Sequence, residues 1–213
     1  MANPVNYQRE LDKLISELES SGRVPHLRLH SCCAPCSSYV LEYLSRYFTI
    51  TVLYYNPNIS PEEEYHKRVE ELKRLIGAME FQHPVNLLEG AYEPERFYEM
   101  ARGLELVPEG GERCFRCYRL RMEEAARYAR ELGCDYFTTT LSISPLKNAA
   151  KINEIGQELG DIYQVEHLPS DFKKKNGYKR SIELSREYDL YRQNYCGCVY
   201  SKQNNGKTHK NPL

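Results

Sequence analysis

Hydrophobic positions along the chain follow two spacings, one typical of helices and the other of strands. Apolar residues three or four positions apart predict a helix over residues 6–21, which ends at Gly22. Short apolar and β-branched runs predict strands at 24–29, 49–55, 85–88 and 136–141, and a last one at 162–165. Helical spacing recurs at 35–44, 60–77, 94–104, 114–132, 148–159 and 181–191. The chain therefore alternates strands with helices over most of its length.

This alternation predicts the fold class. Strand–helix–strand units favour an α/β fold, in which an open parallel sheet is flanked by helices and the crossovers are right-handed. The 213 residues allow one substantial core. We therefore predict a single domain over residues 1–200, with cysteine-rich loops and a C-terminal helix. Residues 201–213 are polar and are predicted to form a disordered tail.

Composition restricts the class of protein further. An apolar content of 41% and a charged content of 28% are ordinary for a globular domain. No apolar run approaches the ~20 residues that span a bilayer, and the N-terminus lacks the charged-then-apolar layout of a signal peptide. We therefore expect a cytoplasmic protein without a membrane partner. The net charge of −1 leaves any contact with nucleic acid to local basic patches.

Seven of the eight cysteines fall into three groups, which are the main candidates for chemistry. In a reducing compartment such clustering points to metal or redox chemistry. The first group lies between a predicted strand and a predicted helix, at the carboxyl end of the strand, where parallel sheets bind ligands. The helix N-terminus there lowers the pKa of a thiol. The groups are Cys32, Cys33 and Cys36; Cys114 and Cys117; and Cys196 and Cys198.

The first two groups together supply enough thiolates for a metal centre. Cys114 and Cys117 lie on one side of a first helical turn, the usual half of a tetrathiolate site, and Cys32 and Cys33 add two sulfurs. An iron–sulfur cluster, a zinc ion and unligated thiols are the three interpretations. The surplus of thiols favours the cluster, and adjacent sulfurs reach two irons more easily than they chelate one tetrahedral ion. Cys134 stands alone and is predicted to be a buried apolar residue.

A single glycine separates the last two cysteines. Gly197 lets the backbone fold so that the sulfurs of Cys196 and Cys198 can meet. A bond between them would be strained, and strained disulfides are labile and redox-active. Ligation of a metal by both sulfurs is the alternative, and Cys36 could join either set of partners.

A basic segment at 171–180 is the candidate nucleic-acid contact. It combines five basic residues with two aromatic ones, which suits phosphate contacts and base stacking, although a solvated loop has the same composition. The predicted RNA-binding residues are Lys173, Lys174, Lys175, Lys179 and Arg180. Three arginines near the middle cysteines could also face phosphates or simply cover the helix surface: Arg116, Arg119 and Arg121. The hydroxyls of residues 138–140 suit either substrate contact or capping.

Five motifs together resemble those of the QueH family of epoxyqueuosine reductases. They are Cys-Cys-Ala-Pro-Cys at 32–36, Tyr-Asn-Pro-Asn-Ile at 55–59, Cys-Phe-Arg-Cys-Tyr-Arg at 114–119, the segment 137–145 and Tyr-Arg-Gln-Asn-Tyr-Cys-Gly-Cys at 191–198. The resemblance runs in order from Leu27 to Tyr200. It implies a Rossmann-like, adenine-nucleotide hydrolase-like fold in which metal chemistry replaces nucleotide hydrolysis, because the first strand-to-helix turn has no glycine-rich phosphate cradle.

The resemblance also implies an activity and its parts. The family reduces the epoxide of epoxyqueuosine, at the tRNA wobble position, to the alkene of queuosine, and it uses an iron–sulfur cluster. Carried over to this chain, it implies that Cys32, Cys33, Cys114 and Cys117 hold a 4Fe–4S cluster and that residues 196 and 198 form a redox-active pair. A second iron ion near the cluster has no assigned ligands, Cys36 being a candidate, and the electron donor is unidentified.

Two other classes of function fit the same residues. One is a metal-free thiol–disulfide oxidoreductase, and the other is a zinc-stabilised RNA-binding module. The reductase alone needs a proton source for the departing oxygen, and four residues on predicted loops or helix starts are candidates: Tyr55, Glu64, His66 and Asp171. Anaerobic purification separates the three, since only the reductase contains iron and sulfide.

Overall fold

The computed structural model describes residues 5–202, which contain seven α-helices and five β-strands. The helices are Tyr7–Ser21 (α1), Ala34–Leu44 (α2), Glu62–Ala78 (α3), Pro94–Ala101 (α4), Glu112–Glu131 (α5), Ala149–Tyr163 (α6) and Gly177–Glu187 (α7). The strands are His26–His30 (β1), Thr49–Tyr54 (β2), Val85–Glu89 (β3), Tyr136–Thr139 (β4) and Glu166–His167 (β5), and a 3₁₀ turn, Thr140–Ile143, follows β4.

The strands form one parallel sheet in the order β3-β2-β1-β4-β5. The predicted α/β class with an open parallel sheet flanked by helices is therefore confirmed. From β1 the chain winds outward to β2 and β3, and it then returns to the other side of β1 for β4 and β5. The winding direction thus reverses between β1 and β4. In open α/β sheets the crevice at the carboxyl ends of two such strands is where ligands bind.

Apolar clusters cover both faces of the sheet, which explains why its strands read as nearly continuous apolar runs. One cluster joins Leu27 and Leu29 of β1 to buried side chains of α1, α2 and α3, including Leu11, Val40 and Leu72. A second cluster packs β2 and β4 against α5 and α6. Two packed faces hold the strand ends rigidly, so groups mounted on those ends keep fixed positions.

The predicted strand at 162–165 is wrong, because α6 continues through Gly160 to Tyr163. The helix ends at Gln164, which takes a left-handed conformation (φ 55°) and donates its N–H to the Gly160 carbonyl. Gly160 is required for packing rather than for ending the helix, since a Cβ there would lie 2.9 Å from the Val165 carbonyl oxygen. The strand β5 forms three residues later than the end of α6.

The last helix also differs from the prediction, because it begins at Gly177 and ends at Glu187. Lys175 and Asn176 both take left-handed conformations just before it, with φ of 49° and 61°. Apart from residues 201 and 202, the predicted tail lies outside the described residues, and the single domain over 1–200 stays a prediction. Within residues 5–202, no helix combines the length and apolar character needed to cross a membrane.

Gly156→Ala should destabilise the fold, because a Cβ at this position of α6 would overlap the buried ring of His167 on β5. Overpacking of this kind costs about 1–3 kcal/mol. Gly77→Ala in α3 is the matched control, since its Cβ would meet nothing within 4 Å, and it should stabilise by up to about 1 kcal/mol. Thermal unfolding of both variants checks the pair, and equal Tm values would contradict the packing argument.

Candidate metal and redox site

One cavity of about 370 Å³ at the carboxyl ends of β1 and β4 is lined by all seven grouped cysteines. These are Cys32, Cys33, Cys36, Cys114, Cys117, Cys196 and Cys198. The three cysteine groups, which are distant in sequence, therefore converge on one cavity, as predicted. Cys134 lies outside the cavity, with its sulfur 3.6 Å from the Nδ1 atom of His26. It is buried, as predicted.

The first group forms a compact cysteine triad (Cys32, Cys33 and Cys36). Its three sulfurs lie within 4.8 Å of one another, so the triad could bind a metal ion. The sulfurs of Cys32 and Cys33 are 3.9 Å apart, close to the ~3.8 Å edge of a tetrahedron with ~2.3 Å metal–sulfur bonds. The expectation that these two adjacent sulfurs would not suit one tetrahedral ion is therefore not supported by their spacing.

Local hydrogen bonds explain why the triad has this shape. Cys33 caps α2 with an extended backbone, and its carbonyl accepts from both the N–H and the hydroxyl of Ser37. Thr140, just after β4, accepts from the Cys32 N–H at 3.2 Å and donates its hydroxyl to the Cys32 sulfur at 3.4 Å. The triad is thus tied to its own helix and to the neighbouring strand.

Hydrogen bonding among the three thiols makes one of them acidic. The pKa of Cys32 lies well below its ordinary value because the thiols of Cys33 and Cys36 donate to its sulfur. The same hydrogen bond raises the pKa of Cys33 to about 12, and hydrogen bonds to Cys32 and then Cys33 raise the pKa of Cys36. A thiolate at Cys32 is thus stabilised by the two neighbouring thiols, and binding of a metal would expel their protons.

The other four cysteines, Cys114, Cys117, Cys196 and Cys198, line the same cavity. Cys114 and Cys117 lie in the first two turns of α5, and Cys117 belongs to the same buried cluster as Cys198 and Phe97. Burial raises the pKa of Cys114, and it raises that of Cys117 to about 12. These two thiols are neutral until a cation displaces their protons.

The segment that carries Cys196 and Cys198 is anchored through its backbone. The Gly197 carbonyl accepts from the Ser60 N–H at 3.0 Å, and the Cys196 carbonyl accepts from Arg68 Nη1 at 3.2 Å. Glycine is favoured at position 197 for two reasons. Its φ of 115° is one that other residues rarely adopt, and a Cβ there would press on Arg68. Both cysteines line the cavity, and the Cys198 sulfur accepts from the Ser201 N–H at 3.4 Å.

A buried histidine ties the three central strand ends together beneath the cavity. His30 accepts from the Thr139 hydroxyl through Nδ1 at 2.8 Å and donates from Nε2 to the Tyr55 carbonyl at 3.1 Å. Burial lowers the pKa of His30 to about 3, so the ring is neutral. This fixes β1, β2 and β4 in register where the cysteines emerge.

Five basic residues line the cavity, among them the cations Arg68, Arg121 and Lys147. Both guanidinium groups are at most 2% exposed. Burial alone would lower the pKa of Lys147, but the charges of Cys196 and Cys32 raise it above its ordinary value. Buried charges need partners: Arg68 is paired with Glu64, and the nearest charges around Arg121 and Lys147 are those of the cavity's cysteines.

Four residues that line the cavity carry buried polar atoms without a hydrogen-bond partner in the described part of the chain. The atoms are Asn58 Nδ2 and Oδ1, Arg68 Nη2, Arg121 Nη2 and Gln193 Oε1. Buried polar groups are almost always paired in native proteins. Three of the four residues offer N–H donors, so the cavity fits a group rich in acceptors, as a thiolate-bound metal centre is.

A profile of the family described as epoxyqueuosine reductase QueH matches residues 27–204. The chain belongs to the QueH family. This confirms the resemblance drawn from the five motifs.

Relatives that carry the QueH name cover most of the chain. The chain is 45% identical over 208 residues to the epoxyqueuosine reductase QueH of Staphylococcus epidermidis, which covers 95% of this chain and 87% of that protein. It is 44% identical over 204 residues to the epoxyqueuosine reductase QueH of Streptococcus pyogenes serotype M1, and the match covers 95% of this chain and 80% of that protein. For the Thermotoga maritima protein of the same name the identity is 35% over 179 residues, covering 81% and 88%.

In this QueH chain the predicted RNA-binding segment adjoins the cavity through Tyr178, which lines it. Three of the five basic residues are paired with acids: Lys173 with Asp171, Lys175 with Asp12, and Arg180 with Glu42. Within residues 5–202, Lys174 and Lys179 have no ion pair, and both are exposed. These two are therefore the strongest candidates for phosphate contacts.

The four predicted proton sources are absent from the described cavity wall of this QueH chain. The Tyr55 hydroxyl donates to Glu93, and Glu64 accepts from Arg68. Asp171 pairs with Lys173 in its own loop, and His66 is exposed on α3. Groups that can donate a proton and do line the cavity include Lys147, Glu109, Tyr118, Tyr178, Tyr195 and the thiols.

Two further expectations about polar residues in the QueH chain need correction. Arg121 is 1% exposed and lines the cavity, so it does not belong to the helix surface. Thr138 and Thr139 at the end of β4 and Thr140 just after it are all buried, and their hydroxyls bond within the protein. The Thr139 hydroxyl caps the 3₁₀ turn by accepting from the Leu141 N–H. The i, i+4 spacing of Cys117 and Arg121 would have placed both on one helix face, and Asn58 lies in the Tyr-Asn-Pro-Asn-Ile motif at 55–59, whereas no sequence signal marks Arg68.

Proposed function

We propose that the protein is an epoxyqueuosine reductase, which reduces the epoxide of epoxyqueuosine at the wobble position of tRNA to the alkene of queuosine. The observation that carries the proposal is the cavity at the switch point of the sheet. Seven cysteines from separate segments line it, in a chain that belongs to the QueH family. The reaction releases the epoxide oxygen as water and consumes two electrons and two protons.

We assign the metal centre to the thiols of the first two groups. Cys32, Cys33, Cys114 and Cys117 would hold a 4Fe–4S cluster, and Cys36 is a candidate ligand for it or for a second iron ion. When bound, such a cluster supplies electrons one at a time. The donor set supports the assignment because thiolates are the usual ligands of iron–sulfur clusters, and because buried N–H groups in the same cavity lack acceptors.

We assign the redox role of the protein's own side chains to Cys196 and Cys198. As a dithiol they hold two electrons and two protons, which are released when a disulfide forms between them. This matches what the epoxide consumes. An electron donor, which no motif in the chain identifies, must return the pair to the dithiol form.

The proposed partner is tRNA that carries epoxyqueuosine, and it would contact Lys173, Lys174, Lys175, Lys179 and Arg180. A base bound in the cavity must leave its stack, which enzymes that act on bases achieve by holding the backbone and the extruded base. Tyr178 supports this position, since it belongs both to the basic segment and to the cavity wall. A cytoplasmic location stays a prediction.

An anaerobic assay tests the function directly. The full chain is incubated with tRNA containing epoxyqueuosine and a chemical reductant, and the nucleosides are analysed by mass spectrometry. The modified nucleoside should lose the mass of one oxygen atom. An unchanged nucleoside in the presence of protein loaded with iron and sulfide would contradict the proposal.

Metal analysis of anaerobically purified protein separates the three functions. Brown protein with iron and acid-labile sulfide supports the reductase. Colourless protein with zinc alone favours the RNA-binding module, because a closed zinc site is structural. Metal-free protein with titratable thiols favours the thiol–disulfide oxidoreductase.

Lys174→Ala and Lys179→Ala should each weaken tRNA binding and reduce the slope of log K against log salt by about 0.7–0.9, the value of one phosphate contact. Arg130→Ala is the matched control, since Arg130 is exposed near the other end of α5 from Cys114. Binding titrations at several salt concentrations measure the slopes. If all three variants gave the same slope as the wild type, the RNA surface would have to lie elsewhere.

A further inference from the structure

Asn58 is the least explained buried side chain of the cavity. It is 1% exposed, it lines the cavity, and neither its amide nitrogen nor its amide oxygen has a partner in the described residues. Its loop is fixed by Asn56, which donates to the Ser31 carbonyl at 2.8 Å and accepts from Arg121 Nη1 at 3.4 Å. A buried primary amide without partners costs stability, so a ligand that pairs with it would remove a real penalty.

Arg68 reaches the cavity from α3 in the same way. Its Nε donates to Glu64 at 2.8 Å and its Nη1 donates to the Cys196 carbonyl at 3.2 Å, which fixes the plane of the guanidinium group. Its Nη2 is buried without a partner. A donor held in a fixed position without an acceptor from the described residues suits a bound group that supplies the acceptor.

Arg121 completes the set from α5. Its Nε donates to the Cys117 carbonyl at 3.2 Å and its Nη1 contacts Asn56, while Nη2 is buried without a partner. The charges that it senses most strongly are those of Cys117, Cys196 and Cys32. The cationic group thus lies among sulfurs of all three groups.

We propose that Asn58, Arg68 and Arg121 form the hydrogen-bonding shell of the metal centre, and that they set its reduction potential. Asn58 Nδ2, Arg68 Nη2 and Arg121 Nη2 are the donors, and the acceptors are the sulfurs of the cluster and its thiolate ligands. This rests on the proposed iron–sulfur function. The three residues are positioning residues, since they act through the cluster and not on the substrate.

The direction of the effect follows from charge. A reduced cluster carries one more negative charge than an oxidised one, so hydrogen bonds and nearby cations stabilise the reduced state more. Loss of a donor should therefore lower the reduction potential. An added donor would raise it, as hydrogen bonds to the sulfurs do in iron–sulfur proteins generally.

Asn58→Leu tests the shell because it keeps the size of the side chain and removes both polar atoms. We expect about a tenfold lower ratio of reduced to oxidised cluster at a fixed potential, which corresponds to about 59 mV for a one-electron couple. The measurement is a redox titration of anaerobic holoprotein, followed by visible absorption and electron paramagnetic resonance. Arg68→Lys is the second variant, since it keeps the charge and removes the Nη2 donor, together with the Nε and Nη1 donors to Glu64 and the Cys196 carbonyl.

Arg113→Lys is the matched control. Arg113 also lines the cavity, but its Nη1 is occupied by the carbonyls of Leu104, Glu105 and Val107. This variant should keep the wild-type potential. An equal shift of the reduction potential in Arg113→Lys and Asn58→Leu would overturn the shell. It would show that the potential responds to any substitution in the cavity wall.

The possible results separate this inference from the proposed function. A wild-type potential in both Asn58→Leu and Arg68→Lys would overturn the shell and leave the reductase intact. Wild-type protein without iron and sulfide would overturn the cluster, and the shell with it. If Asn58→Leu failed to retain its cluster, the potential of Arg68→Lys would test the shell: a lowered potential would support it, and a wild-type potential would overturn it.

Discussion

Cys33→Ser is expected to abolish both cluster retention and epoxide reduction. Cys33 is 5% exposed and caps α2, and its sulfur lies 3.9 Å from that of Cys32. A serine oxygen is a much poorer ligand for iron than a thiolate sulfur. Iron and sulfide should fall below about a tenth of wild type and activity below about a hundredth, since even outer-shell changes cost about 10–100-fold in metal affinity or activity.

The same outcome is expected for Cys114→Ser, which removes a proposed ligand that α5 contributes. Cys134→Ser is the matched control, because Cys134 is also buried yet lies beside His26, outside the cavity. It should retain iron, sulfide and activity. Full activity in either Cys33→Ser or Cys114→Ser would show that the ligand assignment is wrong.

Cys196→Ser should also abolish turnover, but in this variant the cluster should stay bound. Both carbonyls of the Cys196–Gly197 pair are held by hydrogen bonds from Arg68 and Ser60, so the segment should keep its position when one sulfur is replaced. A single remaining thiol cannot store two electrons as a dithiol does. Turnover should drop below about 1% of wild type, a modest loss for removal of a reacting side chain.

Two measurements make this second prediction decisive. Iron and sulfide contents should equal those of the wild type in Cys196→Ser and in Cys198→Ser, and the multiple-turnover rate should be lost in both. Loss of the cluster in either variant would mean that the residue is a metal ligand. This outcome is a real alternative, since Cys117 and Cys198 belong to one buried cluster.

Local sequence determined most of the elements. Apolar residues at helical spacing, with Asn6 as N-cap and Gly22 in a left-handed C-cap, specify α1 within one residue of its bounds. The errors occur where a residue does something unusual for its type. Gly160 stays inside a helix because another backbone approaches it, and Gln164 ends that helix in a conformation that glycine usually takes.

The sequence by itself also determined which residues could carry the chemistry, because thiols are rare and their grouping is visible in the printed chain. Only the tertiary structure decided how they are arranged. The parallel sheet reverses its winding between β1 and β4, and this brings cysteines from three distant segments to one cavity. It also buries Asn58, Arg68 and Arg121 beside them. Spacing along a helix or strand specifies neighbours within a few residues, whereas contacts between distant segments depend on how whole elements pack.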